Sequence, residues 1–135
     1  MNITYQLEPD LTAEDFRQVL MATSLGARRP VDNLPRLHDM LRNASLIVTA
    51  RENGRIVGVS RAMTDFAFCC YLSDLAVDET VQRQGIGKKL IDETKRHAGG
   101  DNIMLLLLAA PDAETYYPKI GMTHMPACWA IKRAG

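Results

Sequence analysis

Gln82, Gly85 and Gly87, spaced Q-x-x-G-x-G, stand between a strand-like run, residues 71–77, and a helix-like run, residues 86–98, with Arg83, Lys88 and Lys89 around them. Glycines at such a junction let the backbone take dihedrals closed to other residues, and they let a ligand approach the main chain without meeting a Cβ. The first turn of the helix that follows leaves four N–H groups unpaired and carries about half a positive charge. The combination is an anion site, and a phosphate or pyrophosphate is its natural occupant. It is not a P-loop: Gly87-Lys88 is followed by Lys89 instead of Ser or Thr, and no glycine stands five positions before Gly87. A Rossmann fingerprint needs a third glycine where Leu90 stands.

The elements that must hold this loop can be read along the chain. Residues 3–7 alternate with period two and predict a first strand, stopped by Pro9. Thr12 caps a helix whose first turn is acidic and whose inner face carries Phe16, Val19 and Leu20; Gly26 closes it. Arg28 and Arg29 read as a solvated loop pair, with an acidic group of a substrate or cofactor as the alternative ligand. A second helix runs from Leu34 or Pro35 to Arg42, capped by Asp32 or Asn33, with Leu34, Leu37, Met40 and Leu41 inward. Residues 45–51 and 55–63 flank Asn53-Gly54 and predict a hairpin. Residues 69–77 follow as a third antiparallel strand.

Beyond the loop, Ile86, Leu90, Ile91, Thr94 and Ala98 form an apolar stripe at helical spacing, ended by Gly99-Gly100. Residues 103–108 are apolar at both parities. They predict a strand buried on both faces, parallel to 69–77 because a helix intervenes. A short helix over 113–120 and a last hairpin, 122–123 with 129–132 around Pro126, complete a single α+β (mixed α/β) domain, 1–135, built on a central mixed sheet.

Apolar residues make up 47% of the 135 and charged residues 24%, the profile of a soluble globular domain. Lys+Arg and Asp+Glu balance at 16 each, which gives no global electrostatic case for nucleic acid or membrane. Any basic patch must be local. Cys69, Cys70 and Cys128 fit neither a disulfide framework nor a metal-ligand spacing, and a reducing cytoplasm is the simplest setting. No signal-peptide pattern opens the chain, and the apolar run 103–110 is far short of a membrane span.

The 82–87 run, directly after Leu75-Ala76-Val77, resembles motif A of the GNAT superfamily of acetyl-CoA-dependent N-acetyltransferases, whose consensus is Q/R-x-x-G-x-G/A. Residues 113–122, Ala-Glu-Thr-Tyr-Tyr-Pro-Lys-Ile-Gly-Met, resemble that family's A-x-x-F-Y-x-K-x-G-F segment, with Met122 in place of the aromatic. The likeness spans nearly the whole chain. It implies the GNAT acyl-CoA N-acyltransferase fold, a mostly antiparallel twisted sheet flanked by about four helices, and acetyl-CoA or CoA as cosubstrate.

By the same resemblance, Leu75, Ala76 and Val77 lie along the pantetheine arm, with main-chain groups of Leu75 and Val77 bonding it. Gln82, Arg83, Gln84, Gly85, Ile86, Gly87 and Lys88 surround the pyrophosphate, and Tyr117 protonates the leaving thiolate. The implied reaction is direct attack by a primary amine of a small molecule or peptide. Acceptor pockets in this family come from the region here numbered 25–33 and from the last hairpin, and homodimers are a family habit.

Three departures stand out. Ala110 occupies the place of an asparagine that contacts pantetheine, and Pro118 is expected to push Tyr117 out of helical geometry. The strand positions that supply a base in some members hold Cys69, Tyr71 and Ser73, with Asp74 aimed at the opposite face unless a bulge intervenes. The base is left open among Tyr71, Ser73, Asp74 and water, as an ordered relay or as solvent. These departures motivate an alternative from another class, a CoA-binding regulatory module with weak or no turnover; a nucleotide-dependent enzyme is a third reading.

Overall fold

The computed structural model describes residues 2–134. Five strands form one sheet in chain order: β1 (Ile3–Leu7), β2 (Leu46–Glu52), β3 (Arg55–Thr64), β4 (Cys69–Val77) and β5 (Met104–Leu106). The first four are antiparallel. β5 is parallel to β4, having crossed back through α3 (Ile86–Ala98).

The first two helices start where the sequence supplies a side-chain cap. Thr12 accepts the Asp15 N–H at the head of α1 (Ala13–Met21), and Asn33 accepts the Arg36 N–H at the head of α2 (Leu34–Arg42). These two helices cover one face of the sheet, packing Phe16, Val19, Leu20, Leu37 and Leu41 on Ile47, Val59 and Ala76. α3 covers the other face, with Ile86 and Leu90 on Val48, Ala50 and Val57. Gly58 makes this close approach possible, since a Cβ there would lie 3.0 Å from Leu90 Cδ1 and 3.3 Å from Ile86 Cγ2. The buried Thr94 hydroxyl sits 2.6 Å from that of Ser60 on β3, so α3 is also pinned by a polar bond.

The Asn53-Gly54 turn takes positive φ at both residues, 51° and 84°, which matches the twist of the strands it joins. Three expectations at the C-terminal end fail. β5 is three residues long and is not buried on both faces: Leu105 and Leu107 pack toward α3, whereas Met104, Leu106 and Leu108 stay exposed. A wholly apolar run implies double burial only if both faces are covered, and β5 lies at the edge of the sheet, where α1 and α2 leave its second face open.

The last hairpin is also absent among the described residues. No strand follows β5, and Trp129 and Ile131 are fully exposed. An arm of two residues, 122–123, offers too few ladder bonds to offset the ordering of the chain. The expected helix over 113–120 is split into a 3-10 turn, Pro111–Ala113, and α4 (Tyr116–Lys119).

Candidate active site

β4 and β5 are paired only where Cys69, Cys70 and Tyr71 face Met104, Leu105 and Leu106. Past Tyr71 the two strands part and open a cleft of about 1210 Å³. Leu75, Ala76 and Val77 line one wall; Leu107, Leu108 and Ala110 line the other. The Asp78 N–H donates to Val57 on β3 at 2.8 Å. Main-chain groups alternate in direction along a strand, so those of Leu75 and Val77 point away from β3, into the cleft. An extended ligand can therefore add to β4 as a strand would.

The cleft ends at the glycine loop. Gly85 is the N-cap of α3 in the left-handed conformation, φ 79°, and Arg83, two residues earlier, has φ 67°. Thr12 and Asn33 cap their helices with side chains, but no side chain caps α3. The bond from the Lys89 N–H to the Gly85 carbonyl, 3.1 Å, closes the first turn, which leaves the N–H groups of Ile86, Gly87 and Lys88 outside the helical ladder. A Cβ on Gly85 would meet nothing within 4 Å, so the space beside Gly85 is open. Gln82 holds the loop against the strand end by donating its side-chain amide to the Val77 carbonyl at 3.0 Å. Gln84 is exposed and Ile86 is buried under β2 and β3, so Ile86 offers the cleft only its main chain.

Tyr116 and Tyr117 both line the cleft, rings edge to face with centroids 5.3 Å apart. Pro118 falls within the first turn of α4, where its missing N–H would have no helical partner anyway, and Tyr117 keeps helical geometry, contrary to the expectation from sequence. The two rings differ in what they touch. The Tyr116 hydroxyl lies over the loop, 2.8 Å from where a Gly87 Cβ would be, so a side chain there would have to displace the end of the Tyr116 ring. Burial raises its pKa above 10.0, against the pull of the nearby Lys88 amide. Tyr117 packs on the core between β4, α3 and β5, and burial, followed by the neighbouring Tyr116 and Asp112, raises its pKa as well.

The residues around the middle of β4 are the part that sequence reasoning missed. Arg61 pairs with Asp74 and Ala62 with Leu72, so Ser73 is an extra residue in β4, a β-bulge. Side-chain parity flips across it: Cys70 and Leu72 face α3, whereas Asp74 and Ala76 face α1 and α2. Asp74, 1% exposed, is gripped there by the guanidinium groups of Arg29 and Arg61. Arg29 also donates to the carbonyls of Arg28 and Ser73 at 2.8 Å each, and Arg61 to the Met40 carbonyl and the Ser73 hydroxyl. Arg29 is thus a structural member of the site and not a solvated loop residue. The signal for this knot was Arg61 in the interior of a strand whose other charge, Arg55, stands at its end, opposite Asp74, the one charged residue of β4. With both carboxylate oxygens engaged, Asp74 is not free to act as a base. Tyr71 and Ser73 line the cleft, and Cys69 does not.

The sequence model of an acetyltransferase (GNAT) domain matches residues 30–127 of this chain. An uncharacterized N-acetyltransferase of Pyropia yezoensis is 29% identical over 91 residues, 64% of this chain and 52% of that protein, so the chain spans about half the length of that curated relative. Among solved structures, a probable acetyltransferase of meticillin-resistant Staphylococcus aureus superposes with a TM-score of 0.78 at 20% identity, covering 98% of this chain and 100% of that one. An aminoglycoside N-acetyltransferase in complex with CoA superposes with a TM-score of 0.75 at 14% identity, over 99% and 96% of the two chains. The likenesses to the two solved structures are to the fold.

Proposed function

The chain belongs to the GNAT acetyltransferase family, and from that premise we propose that it moves an acetyl group from acetyl-CoA to a primary amine, which attacks the acyl carbon directly. One observation carries the cofactor reading: the open edge of β4 leads straight into three outward amides at an uncapped helix N-terminus. A strand-like arm followed by a diphosphate has that shape and that polarity. The relative of known fold that holds CoA supports the same reading.

Acetyl-CoA would supply an acyl group already activated as a thioester. Leu75 and Val77 would bond the arm through their main chain, with Ala76 between them. The amides of Ile86, Gly87 and Lys88, in the loop Gln82 to Lys88, would hold the pyrophosphate. N–H groups at the open β4 edge are placed to stabilise a developing oxyanion. Tyr117 is assigned as the proton donor to the thiolate, and its raised pKa keeps it protonated throughout the working range. Asp74 being engaged, a water in the cleft beside Tyr71 and Ser73 takes the proton from the amine. Ala110, where the family supplies an asparagine, keeps a CoA-binding regulatory module as the second reading.

Thermal unfolding with added acetyl-CoA tests the cofactor. A ligand that binds only the native state at about 100 times its Kd adds about 2.7 kcal/mol, so the melting temperature rises. Gly85→Glu places a side chain and a negative charge before the amides and abolishes the rise, and Gly87→Glu does the same. An undiminished rise in either variant places the cofactor elsewhere. A rise without acetylation of any amine in a broad panel favours the regulatory module.

A further inference from the structure

The chain is charge-balanced at 16 cations and 16 anions, but its cleft is not. Seven lining residues are Arg or Lys and one, Asp112, is acidic. Arg83 and Lys88 belong to the glycine loop. The others gather around the bulge in β4 or come in from the C-terminal segment. Of these, Arg29 and Arg61 spend their donors on Asp74 and on carbonyls and hydroxyls of the fold. Arg28 and Arg36 do not: among the described residues neither guanidinium has an ion-pair or hydrogen-bond partner, and both are exposed to the cleft. Arg28 adjoins the knot through its carbonyl, which Arg29 takes at 2.8 Å. Arg36 stands one helical turn before Met40, whose carbonyl receives Arg61.

We propose that the acceptor amine carries an anionic group, a carboxylate or a phosphate, and that Arg28 and Arg36 receive it beside the β4 bulge. The proposal rests on the acetyltransferase reading above and names its substrate class. A guanidinium is a planar fork matched to both oxyanions, and it is less strongly hydrated than an ammonium, so binding gives up little hydration. The same field answers how an amine is activated where no carboxylate is free. Nearby positive charge disfavours the ammonium form, so the acceptor reaches the acyl carbon as the neutral amine and its proton leaves to water. The transfer then forms the C–N bond, breaks the C–S bond and returns a proton to the thiolate. A polycationic amine such as an aminoglycoside would meet this field as repulsion, with only Asp112, itself bonded to Ser24 at 2.6 Å, to oppose it.

The test uses matched amines: glutamate against glutamine α-amide, phosphoethanolamine against ethanolamine, and sisomicin as the polycation. Acetylation is followed by CoA release, and binding to the CoA-saturated protein is followed by calorimetry. The expected result is a preference of about tenfold or more for at least one anionic member over its neutral partner, as one charge-assisted pair confers. Arg28→Gln and Arg36→Gln each reduce that preference through KM, with the acetyl-CoA melting shift unchanged. The first pair speaks for a carboxylate and the second for a phosphate. Equal use of charged and neutral partners, a preference for sisomicin, or a preference that survives both substitutions overturns the proposal. If no amine is acetylated, the transfer reading falls, and the binding measurement still decides: anionic amines bound through the two arginines uphold the site, and no discrimination sinks it.

Discussion

Two adjacent tyrosines line the cleft, and single-residue changes separate the roles proposed for them. Tyr117→Phe keeps a ring that packs on the core but removes the proton assigned to the thiolate. Turnover is expected to fall by about 10²-fold, the lower end for a lost general acid because a thiolate is a good leaving group, with the melting temperature nearly unchanged. Tyr116→Phe removes the hydroxyl above Gly87 and is expected to alter the KM for cofactor more than kcat. Should Tyr116→Phe be the slow variant, the donor is the residue whose hydroxyl reaches the loop. If both variants stay fast, a water protonates the thiolate.

At the scale of the element, the decisive feature is the extra residue in β4. Without it Asp74 would point toward α3 with Leu72; with it, the carboxylate meets Arg29 and Arg61. Bulges add local twist and end regular pairing, and β4 loses its β5 partner within two residues of this one. The knot and the open cleft therefore sit at the same place in the strand. Asp74→Ala would leave two arginines, 22% and 8% exposed, without their counter-charge. Breaking a buried pair in this way costs about 3–5 kcal/mol, and the urea midpoint should fall accordingly. A variant with an unchanged midpoint but no turnover would instead make Asp74 a participant in the reaction.

The whole molecule should lose stability on acidification, because several carboxylates are better held folded than unfolded. Burial alone would raise the pKa of Glu8, but bonds from Arg51, Thr49 and Gln6 outweigh it and bring it below 4.5. Asp78 is likewise lowered, its burial outweighed by Thr80 and Arg55. The N–H groups of Phe68, Ala67 and Cys69 hold Asp65 down at about 2. A depressed folded pKa stabilises fully above the unfolded value and is lost as pH falls through the folded one. The melting temperature should therefore be level above about pH 5 and decline from there toward pH 2. Asp65→Asn, which can still accept the three N–H groups, should flatten the lowest part of that decline. Superimposable curves would show that the Asp65 turn contributes nothing to it. Among the described residues no helix is long and apolar enough to cross a membrane.

Much of this architecture is local in origin and was legible for that reason. The caps at Thr12 and Asn33, the Asn53-Gly54 turn, the extent of β4 and α3 and the glycine loop each depend on residues a few positions apart, so period and turn chemistry were enough to place them. Apart from the short last hairpin, what failed depended on neighbours distant in sequence. The run 103–108 looked doubly buried because its composition does not record that it lies at a sheet edge. Arg29 looked solvated because its partner, Asp74, is 45 residues away. The bulge at Ser73 left no mark, since a single extra residue changes the facing of a strand without changing its composition. Sequence by itself determined most of the elements and the place of the glycine loop. The tertiary structure decided which charges cancel and which stay free to meet a substrate, because pairing of that kind exists only once distant strands and loops are brought within a few ångströms.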